Sequence, residues 1–376
     1  MKLLMITGLG SAKDLTSDKR GAFYNTLEEF HKYWERIDII SPKVKSQKSK
    51  VKCLFGNVYI HISPWPLVFH PLWFLKKGFE IYKEQKFDLM TVHEFPPFYN
   101  GIGARLLWQK IKVPYILEIF HIPGYPQSAT IKEEIYKQLM KIFVAFDASK
   151  ARAVRVMNTS VGKFLESLGV PKDKIIHIPA VYVDLDIFRP MNLAKTYDLI
   201  FVGRLAENKG INLFLETVKK INCRAIIVGD GPMKNEVELS ARSGGEITIH
   251  GWAKDSAEIA QLINKSKILI MPSYNEGGPR VVVEAMACGV PVLASPVGIV
   301  PDLLKNLPAL PAGRQVALGG EIIDWNADDI AKKAVALLSD LVRYDRLSNG
   351  AVEIAKSFEK KTAIRNYAEK LTSIIR

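Results

Sequence analysis

The stretch from Pro272 to Val292 reads PSYNEGGPRVVVEAMACGVPV, and its punctuation decides how the chain is built. Two glutamates, Glu276 and Glu284, flank a Gly277-Gly278-Pro279 turn with seven residues between them. Pro279 to Met286 has the composition of a helix that starts where the turn ends, because the first helical turn does not use the N–H that proline lacks. Helix N–H groups left free there point back at two glycines, which leave room for close approach by a phosphate or a sugar. Gly289-Val290-Pro291 ends the helix, and Val292-Leu293-Ala294 resumes as a buried strand. Strand, loop, helix, strand is half of a nucleotide-binding sheet.

A glutamate pair on a helix is ordinarily a solvated face. The company of this pair argues otherwise. Leu199-Ile200-Phe201-Val202 is a continuous apolar run, as expected of a strand buried on both faces. It ends in Gly203-Arg204-Leu205, with Lys209-Gly210 just before a helical pattern from Ile211 to Lys220. Two cations thus stand at the carboxyl end of a strand, where open α/β sheets bind ligands; by themselves they would be ordinary loop charge. Ala225 to Val228 followed by Gly229-Asp230-Gly231-Pro232 repeats the arrangement, and His250-Gly251-Trp252 closes a third strand from Glu246 to Ile249.

In this order, VGRL at Val202 to Leu205 with Lys209-Gly210, VGDGP at Val228 to Pro232, HGW at His250 to Trp252 and EGGPRVVVEAMACGVPV from Glu276 resemble the retaining glycosyltransferases of family 4, the glycosyl transferases group 1. The resemblance covers about Tyr197 to Asp302. It implies a GT-B fold: two Rossmann-like, doubly wound parallel-sheet α/β domains facing a central cleft. It also implies that Arg204 and Lys209 hold the donor diphosphate, that Glu276 lies beside the donor sugar and that Glu284 binds the ribose. Gly203, Gly229, Gly251, Gly277, Gly278, Pro279 and Arg280 complete the implied donor site. His121, after VPYILEIF, matches a histidine that lines the cleft and hydrogen-bonds the donor sugar; His93, at the end of the preceding strand, reads as structural. Retention by front-face attack, with the leaving phosphate accepting the acceptor proton, follows from the family alone.

Chemistry agrees with the resemblance. Cleaving a sugar–phosphate bond builds negative charge on the nucleoside diphosphate, and two cations plus a helix N-terminus stabilise that charge without a metal. The chain's one Asp-x-Asp, Asp184-Leu185-Asp186, precedes the donor half and reads as structural. No cofactor is expected beyond the nucleotide-sugar substrate, a UDP-, GDP- or ADP-sugar. An epimerase or hydrolase on the same fold would need acid and base groups that the sequence does not place. A non-catalytic sugar-nucleotide binder would be expected to have lost Arg204, Lys209 or Glu276. The chain departs from the family in lacking a clear Gly-Gly after its first strand, with Gly8, Gly10 and a polar loop before Arg20-Gly21; in Asp302 where glutamate is usual; in Ala180-Val181 for asparagine-glycine; and in a loop insertion from Asn306 to Val316.

At 376 residues the chain exceeds one core, so two domains are expected. They are read as 1–190 for the acceptor and 191–356 for the donor, with 357–376 a last helix that the resemblance implies crosses back onto the first domain. MKLLMITGLG is too short in its apolar core for a signal peptide or a span and reads as the first strand. Three cysteines without a C-x-x-C argue against a disulfide framework and a zinc site, which points to the cytoplasm. Residues 1–190 carry 28 basic against 18 acidic side chains, so +10 of the net +13 lies in this half. Lys43, Lys45, Lys48, Lys50 and Lys52 cluster in one loop, and Trp65, Phe69, Trp73 and Phe74 precede Lys76-Lys77. Two explanations stand side by side: a peripheral contact with an anionic membrane surface, or core aromatics beside a solubilising loop. No nucleic-acid module is visible. The acceptor is expected to be a carbohydrate or a lipid-linked glycan.

Overall fold

Residues 1–16, 21–43, 51–96, 99–241, 246–304 and 318–375 are described by the computed structural model of the chain. Through the first half the elements run β1 (Lys2–Ile6), α1 (Leu9–Thr16), α2 (Ala22–Phe30), β2 (Arg36–Ser41), β3 (Val51–Leu54), β4 (Val58–Ile62), α3 (His70–Glu84), β5 (Leu89–His93), α4 (Tyr99–Ile111), β6 (Tyr115–Ile119), α5 (Ile131–Ala148), β7 (Ala153–Val156), α6 (Thr159–Ser167) and β8 (Ile175–His177). The second half follows as β9 (Tyr197–Val202), α7 (Ile211–Ile221), β10 (Arg224–Val228), α8 (Lys234–Ala241), β11 (Glu246–Gly251), α9 (Ser256–Asn264), β12 (Ser266–Met271), α10 (Arg280–Ala287), β13 (Val292–Ala294), α11 (Val300–Leu304), β14 (Gly320–Ile322), α12 (Ala327–Ser339), α13 (Leu341–Lys356) and α14 (Lys360–Ser373).

Contacts divide the chain into two units. One comprises Met1–Phe120, Ile135–Ile178 and Ile364–Arg376; the other comprises His121–Glu134 and Pro179–Ala363. The change of unit at Pro179 falls earlier than residue 190, where the sequence suggested it. Val181 and Val183 are buried in the core of the second sheet, and the Val183 N–H donates to the Phe358 carbonyl at 2.8 Å while the Lys360 N–H donates to the Val183 carbonyl at 2.9 Å.

In the first unit the strands are ordered β3-β4-β2-β1-β5-β6-β7-β8. All neighbours are parallel except β3 against β4. The direction of travel reverses between β1 and β5, which pair through Ile6 and Val92. The last helix belongs to this unit from Ile364 onward because Tyr367 is buried in it. Its hydroxyl donates to Glu118 Oε1 at 2.6 Å, its ring stacks on Phe30, and Arg155, paired with Glu118 at 2.6 Å, lies 3.7 Å from the ring centroid. A buried guanidinium with both a carboxylate and an aromatic face is a satisfied ion pair.

The second sheet is ordered β11-β10-β9-β12-β13-β14, all parallel. Alternation along the strands sends Ile200, Ile226 and Leu269 to one buried face and Leu199, Ile227 and Ile268 to the other. Both faces are covered, as a parallel sheet requires. The chain begins at β9, builds outward through β10 and β11, then returns to place β12 on the opposite side of β9. The switch point therefore lies between β9 and β12, and ligands of such sheets bind beyond the carboxyl ends of the strands there.

Candidate active site

The loops leaving β9 and β12 meet at that switch point. Lys209 ends a short 3-10 turn, Glu207–Lys209, and its Nζ donates to Glu276 Oε1. Ser273 Oγ donates to the same carboxylate oxygen at 3.1 Å. The Tyr274 N–H donates to the Asn208 carbonyl at 2.9 Å, so the two loops are joined by backbone as well as by charge. Gly210 makes this approach possible. Its φ is +66°, and a Cβ there would collide with the Pro272 carbonyl. Arg204, on the same β9 loop, is exposed and has no hydrogen bond or ion pair to any described residue.

His121 does not stay with the sheet whose strand it follows. The segment His121–Glu134 groups with the second unit. Asn275 Nδ2 donates to the Gln127 carbonyl at 3.2 Å and to Glu133 Oε2 at 2.9 Å. His121 is open to water, yet the protein packed around it pushes its imidazole below the ordinary value of 6.5; Glu276 and Glu133 oppose that shift and Lys209 adds to it.

The other residues expected from the sequence to form the donor site lie at the ends of β9, β10 and β11 and at the start of α10. The Gly203 N–H donates to the Val228 carbonyl at 2.9 Å and the Gly229 N–H to the Gly251 carbonyl at 2.7 Å, which joins the ends of β9, β10 and β11. Pro279 is not in the first helical turn. It caps α10 with an extended ψ of 99°, and Arg280 is the first helical residue. Val181 lies against Gly278, leaving no room for a Cβ there. Arg280 stacks over the Tyr182 ring at 4.8 Å and its Nη2 is 3.8 Å from Glu284 Oε1. Burial raises the Glu284 carboxyl above its ordinary value, and Arg280 works against that rise. The Asp184-Leu185-Asp186 pair forms a local turn in which Asp184 Oδ1 accepts from the Asp186 N–H at 3.1 Å. Among the described residues no group of three or more His, Cys, Asp or Glu is placed to hold a metal.

The model of the glycosyl transferases group 1 matches residues 196–340, the part that contains this site. An uncharacterized glycosyltransferase of Methanocaldococcus jannaschii, MJ1178, is 23% identical over 315 residues, 82% of this chain and 81% of the relative. The UDP-Gal:alpha-D-GlcNAc-diphosphoundecaprenol alpha-1,3-galactosyltransferase of Escherichia coli is 26% identical over 254 residues, 61% of this chain and 62% of the relative. Sucrose-phosphate synthase from Thermosynechococcus elongatus superposes with a TM-score of 0.79 at 18% identity, covering 99% of this chain and 98% of that one. The chain is a glycosyltransferase of GT-B fold.

Elsewhere in the glycosyltransferase, the first unit's switch point presents His93, whose ring stacks on Phe120 at 4.2 Å and tilts against Phe95 at 5.8 Å. The four aromatics of the basic half divide. Trp73 and Phe74 are buried between α3 and its neighbours, while Trp65 and Phe69 are exposed. Helical spacing explains the split: 73 and 74 fall on the inner face of α3, whereas 65 and 69 precede it. The polar loop expected after β1 contains α1 instead. Arg20, Lys45, Lys48, Lys50 and the 306–316 insertion lie outside the described residues. No helix among the described residues is long and apolar enough to cross a membrane. Asn275, Gln127, Glu133 and Tyr182 are contacts that sequence reasoning missed. Asn275 stood inside the decisive stretch, but an amide there carries no charge signal, and Glu133 reads as an ordinary acidic first helical turn.

Proposed function

We propose that this glycosyltransferase moves a hexose from a nucleotide-sugar donor to a glycan or lipid-linked acceptor with retention of configuration, in cell-surface polysaccharide or glycolipid synthesis. The pairing of Lys209 with Glu276 at the β9/β12 switch point carries the reading. The bond between the sugar's anomeric carbon and the phosphate oxygen breaks, the nucleoside diphosphate leaves with the electron pair, and the acceptor oxygen bonds to the anomeric carbon. The acceptor's proton goes to the leaving phosphate. Arg204 and Lys209 stabilise the charge that develops. Glu276 faces the sugar, and His121, whose imidazole is pushed below its ordinary value by the protein around it, lines the same site. Glu284 accepts from the ribose diol, as a carboxylate suits a pair of hydroxyls. The Escherichia coli relative, named for a UDP-sugar and a diphosphoundecaprenol acceptor, supports a UDP-sugar and a lipid-linked acceptor of the same kind. Because two cations supply the positive charge, donor binding and transfer need no divalent metal.

Titration calorimetry in EDTA tests these assignments together, with UDP, GDP and ADP and their hexose derivatives as ligands. Removing a charged hydrogen-bond partner costs roughly 1.5–3 kcal/mol. Glu284→Gln is expected to weaken the free nucleoside diphosphate and the intact donor by that amount. Glu276→Gln is expected to leave the nucleoside diphosphate unchanged and to weaken only the sugar-bearing donor. Equal losses of nucleotide in both variants would mean the roles are wrongly divided, and binding that appears only after manganese is added would end the metal-free reading.

The first unit is proposed to meet an anionic cytoplasmic membrane face. Val68, Phe69 and Leu72 are more than half exposed just before and within α3, with Lys76 also exposed; on α5, Ile135, Ile142 and Phe146 are exposed at helical spacing beside Lys141. Lysines near such a surface contribute about 1 kcal/mol each, so vesicles of phosphatidylglycerol and phosphatidylcholine should bind at least about tenfold more tightly than phosphatidylcholine alone. Ile142→Asp should reduce that binding in a sedimentation assay. Equal partitioning onto both kinds of vesicle would leave the apolar residues without this role.

A further inference from the structure

Asn275 is 2% exposed, and nothing in the donor chemistry uses it. Both partners of its Nδ2, the Gln127 carbonyl and Glu133 Oε2, are acceptors only. The nitrogen end of the carboxamide therefore has to face them, and its orientation is fixed. A buried amide is costly unless its bonds are made, so the side chain holds its partners as firmly as they hold it. Those partners are 148 and 142 positions away in the chain. They lie in the segment His121–Glu134, which is itself braced. Glu133 Oε2 also accepts from the Ala129 N–H at 2.8 Å, and Ser128 Oγ donates to Glu134 Oε2 at 2.7 Å. His121 begins this segment and lies within electrostatic reach of Glu276, the residue that follows Asn275 in the chain.

We propose that Asn275 is a positioning residue for glycosyl transfer: by clamping Gln127 and Glu133 it fixes the segment that carries His121 against the loop that carries Glu276. It touches no reacting atom in this role. Its effect passes through the placement of His121 relative to the Lys209–Glu276 pair, and in that respect the inference rests on the donor-site reading above. A misplaced group costs rate even when the ligand still binds.

Two substitutions separate this role from simple packing. Asn275→Asp sets a second carboxylate against Glu133. Adding Glu133→Gln restores a donor and an acceptor in reversed order, with the new amide at position 133 donating to the new carboxylate at position 275. Amide hydrogen exchange is measured on the ligand-free full chain, and release of nucleoside diphosphate is measured with UDP-, GDP- and ADP-hexoses as probes. In Asn275→Asp, exchange over residues 121–134 should rise about tenfold and kcat should fall by a similar factor, as the loss of one or two buried hydrogen bonds implies, with donor KM little changed. The double variant should recover the part of both that the bond between positions 133 and 275 carries, while the Gln127 carbonyl stays without its donor. Unchanged exchange in Asn275→Asp, or no recovery in the double variant, would overturn the proposal. If Asn275→Asp does not fold, Asn275→Ala carries the exchange and kinetic tests without added charge. Failure of the wild-type chain to turn over any of the probes would instead count against the donor-site reading, and the exchange data would still decide the role of Asn275.

Discussion

Lys209→Ala is expected to lower the turnover number about a hundredfold or more while changing donor KM little, because fixed charge aimed at a leaving group acts mainly in the transition state. Two effects compete in this variant. The Lys209–Glu276 pair is part-exposed, with a quarter of the Lys209 side chain open to water, and such a pair contributes about 1 kcal/mol or less to stability. A hundredfold loss in rate corresponds to about 2.7 kcal/mol. The kinetic effect therefore exceeds what partial unfolding could produce, and a thermal midpoint close to wild type would show the separation. Arg204→Ala supplies the contrast. Arg204 pairs with no described residue, so its removal is expected to leave stability unchanged and still lower turnover. Steady-state kinetics on the purified variants decide the matter. Unchanged turnover with only a raised KM would mean that the two cations bind donor and transition state equally well and do no more.

How far this site was legible in the sequence depended on the range of the interaction. Lys209 and Glu276 were recognisable because each follows an apolar run and glycine punctuation marks both loops; the ordering of strands then brings the two loops together by topology. α12 at Ala327–Ser339 is equally plain, because Asn326 caps its start and Ile330, Ala334 and Leu337 recur on one buried face. The short antiparallel β3 is hard to read, because four residues beside a lysine-rich loop carry almost no periodic signal. Asn275 and Glu133 were not legible at all. Neither residue type announces a partner, and the contact spans 142 positions, so only the tertiary fold creates it. The basic half shows the same limit differently. Phe69 and Trp73 are one helical turn apart and chemically alike, yet one is exposed and the other buried, a distinction set by where α3 meets its neighbours.

Wild-type stability is expected to fall between about pH 4 and pH 7 relative to Asp147→Asn, by an amount on the order of 2–4 kcal/mol. The cause is a pair of buried carboxyl groups in the first unit. Glu94, at the end of β5, accepts from the Gly101 N–H in the first turn of α4, and Asp147 closes α5 with neither carboxyl oxygen hydrogen-bonded. A side chain at Gly101 would run into both groups, with Asp147 Oδ2 only 2.6 Å from its Cβ, so the two acids converge on one point. Burial pushes Asp147 from 3.8 up to about 7, with Arg105 opposing, and burial together with Asp147 raises Glu94 well above the carboxylate range. Tyr115 faces the same point but donates its hydroxyl to the Asp147 backbone carbonyl at 2.6 Å, leaving the carboxyl unpaired. The folded chain therefore holds a proton on Asp147 at pH values where the unfolded chain has released it. Stability is full below the unfolded value near 4 and is lost progressively as pH rises to about 7. The amide introduced by Asp147→Asn would keep the shape of the protonated acid and remove the titration. Urea melts of both proteins from pH 4 to 8 cancel the groups that lie away from Asp147 and leave the Asp147–Glu94 pair as the source of the difference, and a difference that stays flat across that range would show that Asp147 ionises as freely in the folded chain as in the unfolded one.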